Sequence, residues 1–284
     1  MSAALLLGRC LRKVVVFDSG EHRNKRSPHI NGLLTRDGIK PSMYLSLARE
    51  ELEKYGVQIL QKKVVEALCG EKGIEVKDGD GTAYYAKKLL IATGIQDRVP
   101  NIPGFREFYG KSIFHCPYCD GYEVKGLALG AYGKGKNAIG MALALKNWSN
   151  NVSLFTDGRG VLEEMVKVNL SANGIQIYTG KIREVTGQNE KLEKVIFQDG
   201  SSMCCEAIFF SNGYTQSSEL ARMLKCDFTA KGVVRTNKKQ ETNIMGVYVA
   251  GDAAKDMQMV SVATAEGTKA GVAINTALQV EQWK

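Results

Sequence analysis

An internal repeat restricts the fold of this chain more than any other feature. One stretch opens with Gly56-Val57-Gln58-Ile59, passes through alternating residues and the turn Asp78-Gly79-Asp80-Gly81, and closes on Lys88-Leu89-Leu90-Ile91-Ala92-Thr93-Gly94. A second opens with Gly174-Ile175-Gln176-Ile177, turns at Asp199-Gly200, and closes on Ala207-Ile208-Phe209-Phe210-Ser211-Asn212-Gly213. Each starts with a short strand and ends on an apolar strand stopped by Gly. The alternation and Gly turns between them predict a small antiparallel meander. Upstream, residues 41–55 and 161–173 carry matching helix patterns, each followed by Gly. Earlier still, Val14-Val15-Val16-Phe17-Asp18 matches Val152-Ser153-Leu154-Phe155-Thr156-Asp157, both of buried parallel-strand type. Two copies of one α/β unit argue for a doubly wound fold.

The copies differ at their starts. The second has an apolar strand at 127–132, then Gly133-Lys134-Gly135-Lys136-Asn137-Ala138, then a helix at 139–146. This is G-x-G-x-x-A between strand and helix. Gly133 and Gly135 permit a tight turn and close backbone approach to a pyrophosphate resting on the helix N-terminus, with Ala138 at the close-packed helix position. Asp157 follows about twenty residues on, where an acid can hold a ribose hydroxyl. The bland alternative is a tight turn with no ligand. The first copy has no such loop. Aligned on the later strands, Met1 falls opposite Ile139, so the chain begins inside a helix at residues 2–9. The expectation is an N-terminal truncation that removes a central strand and exposes strand edges.

Seven Cys and no convincing signal peptide favour a reducing, cytoplasmic setting. The formal charge of +8 is scattered, without a basic stripe, which argues against a nucleic-acid role, and no long apolar run suggests a membrane span. The chemical centre is His115-Cys116-Pro117-Tyr118-Cys119-Asp120-Gly121. Two Cys in C-x-x-C spacing can close a small disulfide ring, and a thiol at a helix N-terminus has a lowered pKa. Structural zinc needs four ligands, and Cys10, Cys69, Cys204, Cys205 and Cys226 do not stand at ligand spacing, so no metal site is expected. His115 is either a base that tunes Cys116 or a turn residue. Asp120 is either a proton donor and acceptor during exchange or a helix cap. Cys204 and Cys205 read as strand packing residues. Near the C-terminus an apolar strand from Gly246 ends in Gly251-Asp252, and a helix pattern covers 260–278. An acid at such a strand end suits a ribose or ribityl hydroxyl.

In combination, Ile91 to Gly94, the Cys116 to Gly121 motif, the Gly133/Gly135/Ala138 loop, Gly251-Asp252, Gln258 and Ala265-Glu266-Gly267 resemble the low-molecular-weight thioredoxin reductases and their bacterial thioredoxin-reductase-like relatives. The resemblance implies two Rossmann-like domains, the second inserted in the first: an FAD domain at 1–109 and 246–284, and an NAD(P) domain at 110–245 bearing the dithiol. It implies that Cys119 faces the flavin, that Cys116 attacks the substrate disulfide, and that Asp120 transfers the proton. Asp252 and Gln258 would contact FAD, with Thr93, Gly94 and Ala265 in matching segments. Asp18, Arg23 and Asp37 lie where the first unit is expected to meet its nucleotide. The implied partners are NADPH or NADH, a thioredoxin-like protein or small disulfide, and a second copy in a homodimer.

Two departures stand out. The family's FAD glycine loop is not in the sequence. Where NADPH-using members carry basic residues, this chain has Thr156-Asp157-Gly158 and then Arg159, an arrangement that disfavours a 2′-phosphate and permits NAD, or that suits another electron donor. Three functions follow from the sequence: an NAD(P)H-dependent flavin disulfide reductase, an FAD- and oxygen-dependent oxidase of a small dithiol, and a non-catalytic remnant. Asp120, where such oxidases tend to carry His, favours the reductase.

Overall fold

The computed structural model describes residues 1–71, 73–158 and 162–283. The chain forms two compact units, Met1–Lys25 with Ile39–Gln96 and Thr215–Lys284, and Arg26–Gly38 with Asp97–Tyr214. The second unit is made of two segments that interrupt the first, and both units are α/β.

In the second unit five parallel strands run in the order Ile175–Tyr178, Val152–Phe155, Leu129–Gly133, Ala207–Ser211, Ile113–Phe114. Leu129–Gly133 is central and is buried along its whole length, as is Val152–Phe155. Helices Gly135–Leu145 and Glu164–Ala172 cover the sheet through Ala138, Ala142, Leu145 and Leu170. Leu129, Val152, Leu154 and Phe155 are each 1% exposed or less. At about 1.5–3 kcal/mol per buried side chain, such strands hold the unit together. The helix expected at 161–173 begins at Glu164, and residue 161 lies outside the described residues.

In the first unit the equivalent pairs are present, but as two separate ribbons. Val15–Phe17 pairs with Gln58–Leu60, and Leu89–Ile91 pairs with Val247–Val249, all parallel. The helix counterparts are Ser2–Arg9 and Pro41–Glu53. Gly56 and Gly174, which follow the matching helices, both have positive φ, 65° and 68°, as a helix stop requires. A long helix, Val260–Gln282, outruns the expected 260–278, and Ser2–Arg9 packs on it. The approach is close: a Cβ on Gly271 would stand 3.1 Å from the Ala3 carbonyl.

Each unit carries a three-stranded antiparallel meander: Val64–Gly70, Gly73–Asp78 and Ala83–Ala86, against Ile182–Gln188, Lys191–Phe197 and Ser202–Cys204. Both meanders shift register in the same place, between Val64 and Glu66 and between Ile182 and Glu184.

The units divide at other points than the expected 109/110 and 245/246. Phe105 and Phe108 are buried with Tyr132, Phe155 and Phe197 in the second core. Leu220, Ala221, Leu224 and Val234 are buried with Ala67, Ile74 and Val247 in the first. Residues 26–38 also cluster with the second unit, where Arg26 donates to the Arg106 carbonyl and Asn31 to that of Cys119. Among the described residues, no helix is long and apolar enough to cross a membrane.

Candidate active site

The strand Ile113–Phe114 delivers the chain to the dithiol, and Cys116 then caps a single helical turn, Pro117–Asp120. Pro at the first helical position supplies the φ the turn needs and has no N–H to leave unsatisfied. The Cys116 carbonyl accepts the N–H groups of Cys119 and Asp120, each at 3.2 Å. Cys116 and Cys119 are joined in a disulfide with their Cα atoms 5.3 Å apart, and both are half-buried. Gly121 permits no side chain, since a Cβ would stand 2.5 Å from the Pro117 carbonyl and 2.8 Å from the Trp148 ring. Tyr118, between the two sulfurs in sequence, is 74% exposed and meets Trp148 edge-on.

Burial, reinforced by the Glu123 carboxylate, raises the Asp120 carboxyl to about 7. A carboxyl so poised can hold a proton near neutrality and release it. His115 stands 3.7 Å from Asp97, whose side chain is 5% exposed and accepts the Tyr109 hydroxyl at 2.5 Å. Asp97, Tyr109, Asn31 and Trp148 surround the motif without a sequence pattern that marks them. They come from three separate segments, and only the fold assembles them.

The glycine loop lies where the spacing predicts it, between Leu129–Gly133 and Gly135–Leu145. Gly133 packs against the Ser211 carbonyl and Ala138, while a Cβ on Gly135, at φ 60°, would meet nothing within 4 Å. The open backbone at Gly135 and the helix N-terminus behind it make a cradle that fits a pyrophosphate. Asp157 follows the neighbouring strand at φ 54°. Both of its carboxylate oxygens are engaged within the chain: Tyr132 Oη donates to Oδ2 and Ile182 N–H to Oδ1, each at 2.9 Å. Arg159 lies outside the described residues.

In the first unit Asp252 follows Gly251, which has φ 73°, just beyond the buried strand Val247–Val249. Arg23 bridges Asp252, at 3.3 Å, and the Gln258 side-chain oxygen, at 2.8 Å. Asp18 accepts Gly20 N–H and Arg49 Nη2. Burial works against its charge, but those hydrogen bonds outweigh it and hold the carboxyl below the usual carboxylate range. Thr93 and Gly94 follow the strand Leu89–Ile91, with open space beside Gly94. Ala265 is exposed within the helix Val260–Gln282, while the neighbouring Glu266 is buried between Lys255 and Lys269. Asp37 clusters instead with the second unit, where it closes a turn by accepting Gly32 N–H. Of the two adjacent thiols, Cys205 is core, with burial pushing its pKa up, and Cys204 is exposed.

Residues 1–267 match the pyridine nucleotide-disulphide oxidoreductase family. The chain belongs to that family. Its similarity extends to thioredoxin reductase tcpT of Claviceps purpurea, 31% identical over 98% of this chain and 90% of that protein. Among solved structures, a Bacillus anthracis protein assigned as thioredoxin reductase TrxB superposes with a TM-score of 0.94 at 31% identity, covering 99% of this chain and 95% of that one. An oxidoreductase from Agrobacterium tumefaciens gives 0.91 at 30%, covering 98% and 94%.

Membership implies an oxidoreductase that uses FAD and NAD(P)H. The residues fit both groups. Arg49 Nε, beside Asp18, is buried without a hydrogen-bond partner and can serve a polar group of a bound nucleotide. Gly94 leaves backbone open at a strand end, and Gly135 does so for the second nucleotide.

Proposed function

We propose that the chain is a thioredoxin-reductase-like flavoenzyme that passes electrons from NAD(P)H to the Cys116–Cys119 disulfide and on to a disulfide of a thioredoxin-like protein or small molecule. The observation that carries this reading is a disulfide across one helical turn, followed directly by a carboxyl poised near neutrality. Bound FAD would carry the electron pair between nicotinamide and dithiol. Asp18, Arg23, Thr93, Gly94, Gly251, Asp252 and Gln258 would hold it, and Gly133, Gly135 and Ala138 would hold the nicotinamide nucleotide.

Two electrons and two protons convert the Cys116–Cys119 disulfide to two thiols. Cys116, as the thiolate, attacks the substrate disulfide and forms a mixed disulfide, and one substrate thiolate leaves. Cys119 then attacks Cys116, which regenerates the internal disulfide and releases the second substrate thiolate. Asp120 in its neutral form supplies the proton that a leaving thiolate needs, and His115 steadies the charge beside Cys116.

The test is the flavin spectrum of the purified chain, followed by disulfide turnover. Stoichiometric flavin that bleaches with NADH or NADPH, with turnover lost in Cys119→Ser, is the expected result. Full turnover in Cys119→Ser would sink the dithiol route. Peroxide formed from a small dithiol without nicotinamide would transfer the site to the oxidase reading.

A further inference from the structure

The acid that the nucleotide fingerprint assigns to the ribose is already engaged by the protein's own donors. Asp157 is held from both sides, by the hydroxyl of Tyr132, the residue just before Gly133, and by the backbone of Ile182. The segment that supplies Ile182 wraps the turn closely. Gly158 N–H donates to the Thr179 carbonyl at 2.9 Å, and the methylenes of Lys181 lie over Gly158, with Cγ 3.0 Å and Cε 3.4 Å from where a Cβ would stand. Lys181 is itself exposed, so its stem is pinned against the turn while its ammonium remains in solvent.

The charges on this edge of the loop are lopsided. Lys134 caps the helix Gly135–Leu145 and Lys136 sits in its first turn, a place where the helix dipole disfavours a cation and no acid stands in compensation. Among the described residues, none of Lys134, Lys136 and Lys181 makes an ion pair. Nearby, Thr156 Oγ1 is buried without a partner. A carboxylate already engaged on each oxygen by the protein's own donors, with an unpaired lysine lying over the next residue, suits an anion better than a ribose diol.

We propose that Lys181 determines nucleotide specificity by receiving a phosphate on the adenosine 2′-oxygen, so that the second unit prefers NADPH to NADH although an acid stands at the fingerprint position. Tyr132 and the Ile182 N–H act as positioning groups that keep Asp157 from taking the 2′-hydroxyl itself. This rests on the reading that the Gly133–Gly135 loop takes a nicotinamide dinucleotide. A bidentate carboxylate–ribose contact is replaced by a charge-assisted one from lysine to phosphate.

The experiment is calorimetric titration of the full chain with adenosine 2′,5′-bisphosphate and with adenosine 5′-monophosphate, which need neither flavin nor turnover. The expected result is tighter binding of the bisphosphate, and a loss of about ten-fold in its affinity in Lys181→Ala with the monophosphate unchanged. Tyr132→Phe, which removes one donor to Asp157 and keeps the ring, narrows the preference, and Lys181→Arg retains it. Equal or tighter binding of the monophosphate overturns the proposal and leaves the loop reading intact. So does a Lys181→Ala variant that weakens both probes alike. Binding of neither probe to the wild-type chain overturns the loop reading and this proposal together.

Discussion

The two units repeat one design yet bury it differently. Val152 and Val15 occupy equivalent strands, and they are 1% and 44% exposed. In the second unit Leu129–Gly133 bonds to strands on both sides, and the glycine loop leaves its end. In the first, Val15–Phe17 and Leu89–Ile91 each pair on one side only among the described residues. A parallel strand is stable when both neighbours and both faces are covered. The second unit is a buried parallel sheet from whose strand ends a glycine loop and a dithiol emerge. The first carries polar contacts at its strand ends, the Arg23–Asp252–Gln258 bridge and the Asp18–Arg49 pair.

The two units are told apart most clearly by separating the redox step from flavin binding. Cys116→Ser is expected to lower disulfide reductase turnover by roughly a thousand-fold or more while flavin content stays at the wild-type level. Asp252→Ala is expected to do the reverse at the other unit. Flavin absorbance per chain falls, since Arg23 and the cofactor lose an acceptor, while the Cys116–Cys119 disulfide still forms, as thiol titration reports. Coupled loss in both variants would mean that the units do not divide the work.

A smaller effect follows from Asp120. Its folded pKa is raised, so the neutral form dominates below about 7 and the charged form above it. A raised carboxyl pKa favours folding at low pH, and that contribution is lost as pH climbs from the unfolded carboxylate range through about 7. Turnover should therefore decline on the alkaline side of 7, and Asp120→Asn should remove that limb. The same variant should be more stable than wild type at pH 8, by on the order of 2 kcal/mol in denaturant titration, since the buried charge is gone. An unchanged pH profile would remove Asp120 from proton transfer.

Hydrogen exchange distinguishes the two units at the level of single strands. Amides of Val15–Phe17 are expected to exchange at least about ten-fold faster than those of Val152–Phe155, because local opening costs less where fewer faces are covered. Equal protection would show that the exposed edge carries no energetic penalty. The smallest expected effect is at Gly135. Gly135→Ala, at positive φ and with open space for a methyl group, should cost about 1 kcal/mol of stability and weaken nucleotide binding more than it weakens the fold.

The repeat, both meanders, the helix stops at Gly56 and Gly174, and the loop at Gly133–Gly135 were legible because each depends on local periodicity or on a turn that only certain residues enter. The unit boundaries were not. Phe105 and Phe108 read as ordinary apolar residues until the fold shows which core receives them, and the same holds for Leu220 and Val234. Asp37 matched a family position, but its turn at Gly32 belongs to the other unit. Spacing placed Asp157 just past the strand, but could not show that its two oxygens accept from Tyr132 and Ile182, one of them through a backbone N–H that leaves no trace in side-chain identity.

The close packing of Trp148 on Gly121 and Tyr118 has an optical consequence. The chain contains two tryptophans, and Trp283 is solvent-exposed near the C-terminus. Disulfides quench nearby indole emission, so opening the Cys116–Cys119 bond should brighten Trp148 selectively. In a Trp283→Phe background the protein would then carry its own fluorescent gauge of redox state, readable in stopped flow without a dye.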